Sequence, residues 1–247
     1  MARVGLVVPA LDEERALSLV LADLPVGEVD VLVVVDNGSR DRTAEVARAC
    51  GAFVVSEPRR GYGSACLAGL GALFGEHPDP AQRVPAPLGR DDIVVFLDAD
   101  RSDHPEELSL LLAPIRAGRA DLVIGSRTLG GASLRAMLPQ AWFGNRLACV
   151  LMRLCFGLHA TDLGPFRAIR AGPLRDLGMV DRDFGWTVEM QLKAHVAGLR
   201  TCEVPVRYRP RIGESKITGT LSGTLRASWK ILSWILGWRL RLRSPRR

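Results

Sequence analysis

The sequence predicts an α/β fold, with a mostly parallel central sheet and helices on both faces. Three observations carry this. Short β-branched apolar runs alternate with helix-patterned segments through the first half of the chain, the signature of repeated βαβ units. The runs are apolar at successive rather than alternate positions, as strands buried on both faces require. Several runs stop abruptly on acidic and turn residues, and in open sheets of this kind ligands collect beyond the carboxyl ends of the strands. At 247 residues and 47% hydrophobic content the chain can bury a substantial core, which excludes a disordered polypeptide.

The elements follow in order. Residues 4–9 form a first strand. A helix pattern then runs to about Leu24, with Asp12 as its expected N-cap. A second strand spans 29–35 and ends on Asp36-Asn37-Gly38-Ser39; a helix covers about 42–50, and a third strand 52–56. Arg60-Gly61-Tyr62-Gly63-Ser64 opens a helix to about Phe74. Residues 76–91 contain four prolines and read as an inserted surface loop. The central strand is 93–97. His104-Pro105 starts another helix, with proline in its first turn, and residues 121–125 are a fifth strand. Beyond it come a helix over 140–156, a strand within 163–170, a helix from 183–186 to about 197 and a last strand over 199–206.

Composition changes at the end of the chain. Residues 207–247 hold eleven Lys/Arg and a single Glu, so the net charge of +6 belongs to the tail and the remainder is acidic. Apolar residues Leu221, Leu225, Trp229, Leu232, Ile235 and Leu236 recur near helical spacing, with Arg226, Lys230, Arg239 and Arg241 between them, and Trp229, Trp234 and Trp238 are three of the five tryptophans. Tryptophan with snorkelling Lys/Arg suits a membrane–water interface; the alternative is a terminal helix docked on the domain. Bulky aliphatics beside the aromatics argue against nucleic acid. The expected division is an α/β domain over 1–210 and a basic amphipathic membrane-interface tail over 211–247. Five cysteines without a CxxC pair fit a reduced compartment, and no run of 18 uncharged apolar residues occurs. The expected location is cytoplasmic, peripheral on the inner face of the cell membrane.

The strand Ile93–Leu97 runs into Asp98-Ala99-Asp100. Asp98 and Asp100 share side-chain parity on an extended chain, so both can face one site. Two hard oxygen ligands at a strand end suit Mg²⁺ or Mn²⁺ carrying a diphosphate; the alternative is a solvated pair capping the next turn. Asp36 is placed to accept hydrogen bonds from a ribose or base, whereas Asp41 reads as a helix cap. No G-x-G-x-x-G follows the first strand, no G-x-x-x-x-G-K loop occurs, no His/Cys cluster has zinc spacing, and no nucleophile elbow is present.

Six segments in order resemble family 2 glycosyltransferases: Val8-Pro9-Ala10-Leu11-Asp12-Glu13-Glu14, Val35 to Thr43, Leu97-Asp98-Ala99-Asp100, Ile124-Gly125-Ser126-Arg127, Thr161-Asp162-Leu163-Gly164-Pro165-Phe166-Arg167 and Tyr208 to Lys216. The last two are similar to the polyprenyl-phosphate sugar synthase branch, the dolichyl-phosphate mannose synthase type. The resemblance implies a GT-A nucleotide-sugar transferase fold and inversion at the sugar carbon. It implies that Pro9, Leu11, Glu13 and Asp36 hold the nucleotide, that Asp98 and Asp100 hold the metal, and that Arg127 and Arg135 meet phosphate in the acceptor region. Leu11-Asp12 stands where the family has an aromatic residue and Asn, and Asn37 where it has a second Asp.

The expected reaction moves a hexose, glucose or mannose, from a UDP- or GDP-sugar to a polyprenyl phosphate. A lipid phosphate is already largely anionic at neutral pH and needs cations to position it rather than a base. Arg127, Arg209, Arg211, Ser215 and Lys216 offer such donors; for Arg209 and Arg211 the alternative is a solvated basic loop. Asp162 and Glu189 can bind sugar hydroxyls, or act as base if the acceptor is an alcohol; each can equally be a cap or a buried ion-pair member. The rival readings are the same fold acting on a lipid or sugar hydroxyl, and a non-catalytic membrane-recruited protein that binds nucleotide sugars.

Overall fold

The computed structural model describes residues 2–132, 137, 139–213 and 229–238. Seven strands, β1 (Val4–Ala10), β2 (Val31–Asp36), β3 (Phe53–Ser56), β4 (Ile93–Phe96), β5 (Leu122–Ser126), β6 (Arg167–Arg170) and β7 (Thr201–Pro205), form one sheet in the order β3-β2-β1-β4-β6-β5-β7. All pairings are parallel except those of β6, which is antiparallel to both β4 and β5. The mostly parallel sheet expected from the sequence is therefore present. Valine and isoleucine runs produce it because their branched side chains pack on both faces of a pleated surface.

The two faces bury separate cores. Val7, Val33, Val35, Val94 and Phe96 pack against α3 (Tyr62–Leu73), α6 (Ala171–Leu177) and α7 (Trp186–Val196). Leu6, Val8, Val34, Val95 and Leu97 pack against α1 (Leu17–Ala22), α2 (Thr43–Ala49) and α4 (Leu108–Arg116). Neighbouring residues of one strand thus enter opposite cores, which explains the continuous apolar runs.

A third core is helical. Ala148, Cys149 and Met152 of α5 (Pro139–Phe156) meet Val188 and Leu192 of α7, and the helix over 229–238 adds Ile231, Trp234, Ile235 and Trp238. The described part of the tail therefore docks on the domain. The rest of the predicted tail helix, including Leu221, Leu225, Arg226, Arg239 and Arg241, lies outside the described residues. No described helix is long and apolar enough to cross a membrane.

One local expectation is corrected and one helix is added. Asp12 is not a helix N-cap: its φ is +53°, its carboxylate accepts from the Arg40 amide at 2.7 Å, and α1 starts only at Leu17. Helix α6 was unexpected, because a seven-residue segment opening Ala-Gly-Pro carries little helical periodicity.

Candidate active site

The order of the strands makes the cleft. The chain steps outward from β1 to β2 to β3, then returns to place β4 on the other side of β1. Such a reversal opens a crevice at the carboxyl ends of β1 and β4. A cavity of about 410 Å³ occupies that position. Its walls include Pro9 near the end of β1, Leu11 and Glu13 after it, Asn37 after β2, Asp98 and Asp100 after β4, and Arg211. Opposite lie Arg60, Tyr62, Asp183 and Phe184.

Asp98 and Asp100 both face this cleft, but their surroundings differ. Asp98 Oδ1 is sealed from solvent without a hydrogen-bond partner among the described residues, as is the nearby Tyr62 hydroxyl. Burial, then the charge of Asp100, pushes the Asp98 carboxyl up to about 6. Asp100, 4% exposed, accepts from the Ser102 amide at 2.8 Å and forms an ion pair with Arg211. One Asp98 oxygen lacks a hydrogen-bond partner among the described residues, and Asp100 already faces a cation.

A strap over 207–212 supplies that cation. Its backbone is held by Arg209 N donating to Ser102 O and Ile212 N donating to Asp100 O, both at 2.9 Å. The Arg209 side chain points out of the cleft, donating to Arg101 O at 2.7 Å and to Asp23 at 2.9 Å. Under the strap lies Asp103, bridged through its backbone to Tyr208. Both Asp103 carboxylate oxygens are buried without a hydrogen bond among the described residues, and burial followed by the charge of Asp98 holds this carboxyl well above the usual range.

Arg127 and Asp162 meet each other. Arg127 donates through Nε at 2.9 Å, Nη2 at 2.6 Å and its own amide at 2.7 Å to the two oxygens of a fully buried Asp162. Burial would pull the guanidinium down, but the Asp162 charge outweighs it and the pKa is raised. The same turn is anchored by Glu203, which accepts from Thr161 N at 2.8 Å and Thr161 Oγ1 at 2.7 Å. Glu189 sits away from the cleft, fully buried, accepting from Val180 N and Asp181 N and paired with Lys193 at 2.6 Å. Asp36 accepts from Ser39 N at 3.0 Å and shapes its own turn rather than lining the cavity. Arg135, Ser215 and Lys216 lie outside the described residues.

Arg60, Tyr62, Asp183 and Phe184 were not anticipated as cleft residues. The available signal was the paired glycines: a Cβ at Gly61 would collide with the Arg182 carbonyl, and one at Gly63 with the Asp181 carbonyl. Gly63 N donates to Asp183 O at 3.1 Å and Ser64 N to Arg182 O at 2.9 Å, so the glycines bring α3 against the 181–184 loop. Asn37 fastens the start of α3 in the same way, accepting from Gly61 N at 2.8 Å and donating to Glu57 O and Arg59 O. Arg167, fully buried, donates to the carbonyls of Leu163, Gly164 and Thr187, and burial lowers it to about 10.

This architecture has relatives. The chain is 39% identical over 239 residues to an uncharacterized glycosyltransferase of Mycobacterium tuberculosis, covering 93% of this chain and 98% of the relative. It is 34% identical over 240 residues to an undecaprenyl-phosphate mannosyltransferase of Micrococcus luteus, covering 90% of each. Among solved structures, glucosyl-3-phosphoglycerate synthase of M. tuberculosis, crystallised with Mg²⁺ and UDP, superposes with a TM-score of 0.69 at 24% identity, over 96% of this chain and 79% of that one. The family model described as "Glycosyl transferase family 2" matches residues 6–178, from the first strand through the DAD turn to the end of α6, and the chain belongs to that family.

Proposed function

We propose that this family 2 enzyme transfers a hexose from a UDP- or GDP-sugar to a polyprenyl phosphate, with inversion, using Mg²⁺ or Mn²⁺. The observation that carries the reading is the acidic pair on the cleft wall, with one Asp98 oxygen buried and unsatisfied beside Asp100. A buried carboxylate oxygen without a partner is costly, and a bound cation would satisfy it. Two carboxylates are the usual protein share of a Mg²⁺ site whose other ligands are phosphate and water, so the residues fit the ion. Asp98 and Asp100 would hold it; when bound it neutralises charge building on the diphosphate leaving group.

The chain's own residues do the rest. Pro9, Leu11 and Tyr62 give the cleft an apolar lining suited to a nucleoside, and among the described residues Arg60 and Arg211 are cations on its wall that can reach a diphosphate. The 181–184 loop contributes Asp183 and Phe184 to the cleft wall, where they would help to exclude water from the leaving group. The two candidate bases, Asp162 and Glu189, are themselves fully buried and already ion-paired, with Arg127 and Lys193. That favours an acceptor needing no deprotonation, and a phosphate monoester is one. The Micrococcus relative is named for a lipid-phosphate acceptor.

A thermal-shift series with UDP- and GDP-sugars, with and without Mn²⁺, tests the donor, because only a ligand that binds the folded form raises the melting point. Radiolabelled sugar transfer to polyprenyl phosphate against the free polyprenol tests the acceptor. Product on the phosphate alone is expected. Product only on the alcohol refutes the acceptor, and absence of any metal-dependent donor shift refutes the enzyme reading.

A further inference from the structure

Helix α5 is inside out. On an ordinary surface helix the outward positions are polar. Here the exposed positions from 142 to 154 are Trp142, Phe143, Arg146, Leu147, Val150, Arg153 and Leu154. Phe143 is 64% and Leu154 76% exposed. Phe143, Leu147, Val150 and Leu154 are spaced as one stripe along the helix. The 18-residue helix contains no acidic residue, and its charged side chains are the two arginines within the stripe. Arg146 lies over the Trp142 ring, 5.8 Å from its centroid. The inner side is fully employed: Asn145 accepts from Leu163 N at 2.8 Å, and Ala148, Cys149 and Met152 fill the helical core.

We propose that the outer face of α5 is a membrane-contacting surface that seats the protein on an anionic lipid bilayer. The proposal deepens the function argued above and rests on it for the lipid nature of the acceptor. Apolar side chains flanked by arginine, with tryptophan at the edge, match the boundary between acyl chains and anionic headgroups. The surface continues onto the helix over 229–238, which packs beside α5 and exposes Trp229 (75%) and Leu236. Five of residues 239–247, which lie outside the described residues, are arginine, the charge an anionic surface attracts. A second copy of the chain is a poorer occupant. A two-fold contact through this face would gather the arginines of both copies at one interface, with no acid on the helix to offset them. The buried side of α5 holds the turn that carries Asp162, so the contact surface borders the region beyond β5.

The test uses the full chain and sedimentation with vesicles of phosphatidylcholine, with or without phosphatidylglycerol. Wild type is expected to bind the phosphatidylglycerol vesicles more strongly. Joint Phe143→Ser, Leu147→Ser and Leu154→Ser substitution is expected to weaken binding to them about tenfold or more. Arg146→Ser with Arg153→Ser is expected to remove most of the preference for phosphatidylglycerol. Both variants change exposed positions, and each must keep the wild-type melting point and the donor-induced thermal shift. Unchanged vesicle binding by the triple variant overturns the proposal. So does a dimer, seen by sedimentation velocity, that the triple variant disperses. If no nucleotide sugar binds but the vesicle results hold, the function argued above fails and the surface stands.

Discussion

The guanidinium of Arg211 is ion-paired with the carboxylate of Asp100, on the wall of the cleft where a divalent cation is expected. The partners are 111 residues apart in sequence. The strap carrying Arg211 is fixed to the Asp100 turn by two backbone hydrogen bonds, so the cation is held over the acid. In the structure the guanidinium does part of what a metal would do.

Replacing it therefore has a signed consequence. Arg211→Gln leaves a nearly buried carboxylate without its charge partner and is expected to cost about 1–2 kcal/mol without ligands. Mn²⁺ alone is then expected to raise the melting point of the variant more than that of wild type. An equal Mn²⁺ shift in both proteins would show that Arg211 and the ion do not share Asp100.

Asp98 makes stability depend on pH. Its folded-state carboxyl lies at about 6, above the ordinary carboxylate value near 3.8. The folded protein thus keeps a proton that the unfolded chain has released, and stability falls as pH rises through that window. Asp98→Asn is expected to be more stable than wild type by about 2 kcal/mol at pH 8, with the difference fading below pH ~4. Urea unfolding at pH 4, 6 and 8 checks this; a difference independent of pH would contradict it. The same variant is expected to lose the Mn²⁺-dependent part of the donor shift.

The Arg127–Asp162 pair is expected to act on stability first. Either Arg127→Ala or Asp162→Ala strands a buried charge, at about 3–5 kcal/mol. The double substitution is expected to cost much less than the sum, because the two groups share one interaction. Additive losses in a urea double-mutant cycle would mean that each residue has separate work.

Gly63 and Gly144 give a matched contrast. Both are helical, but a Cβ at Gly63 meets the Asp181 carbonyl whereas one at Gly144 meets nothing within 4 Å. Gly144→Ala is expected to stabilise by about 0.5–1 kcal/mol through helix propensity. Gly63→Ala must displace the 181–184 loop, and is expected to destabilise and to weaken the donor-induced thermal shift. A donor shift unchanged in Gly63→Ala would remove that loop from the binding site.

Most of the fold was legible because burial on both faces leaves a local mark. Val31–Asp36 and Ile93–Phe96 are runs that only a covered parallel strand tolerates in water. The antiparallel direction of β6 left no such mark: Arg167–Arg170 lies between β4 and β5 and would read the same in either direction. The early turn misled for a similar reason, since an acid before a helix pattern usually caps it, whereas Asp12 reaches across to the Arg40 amide.

The sequence by itself determined the layered α/β framework, the acidic ending of its central strand and the family of the chain, because periodicity and short motifs are properties of neighbours along the backbone. Only the tertiary structure decided that Arg211 faces Asp100, that Arg127 and Asp162 satisfy each other 35 residues apart, and that α5 turns its apolar stripe outward. Pairing of charges and exposure of a helix face depend on which distant segments fold against them, and no local pattern encodes that.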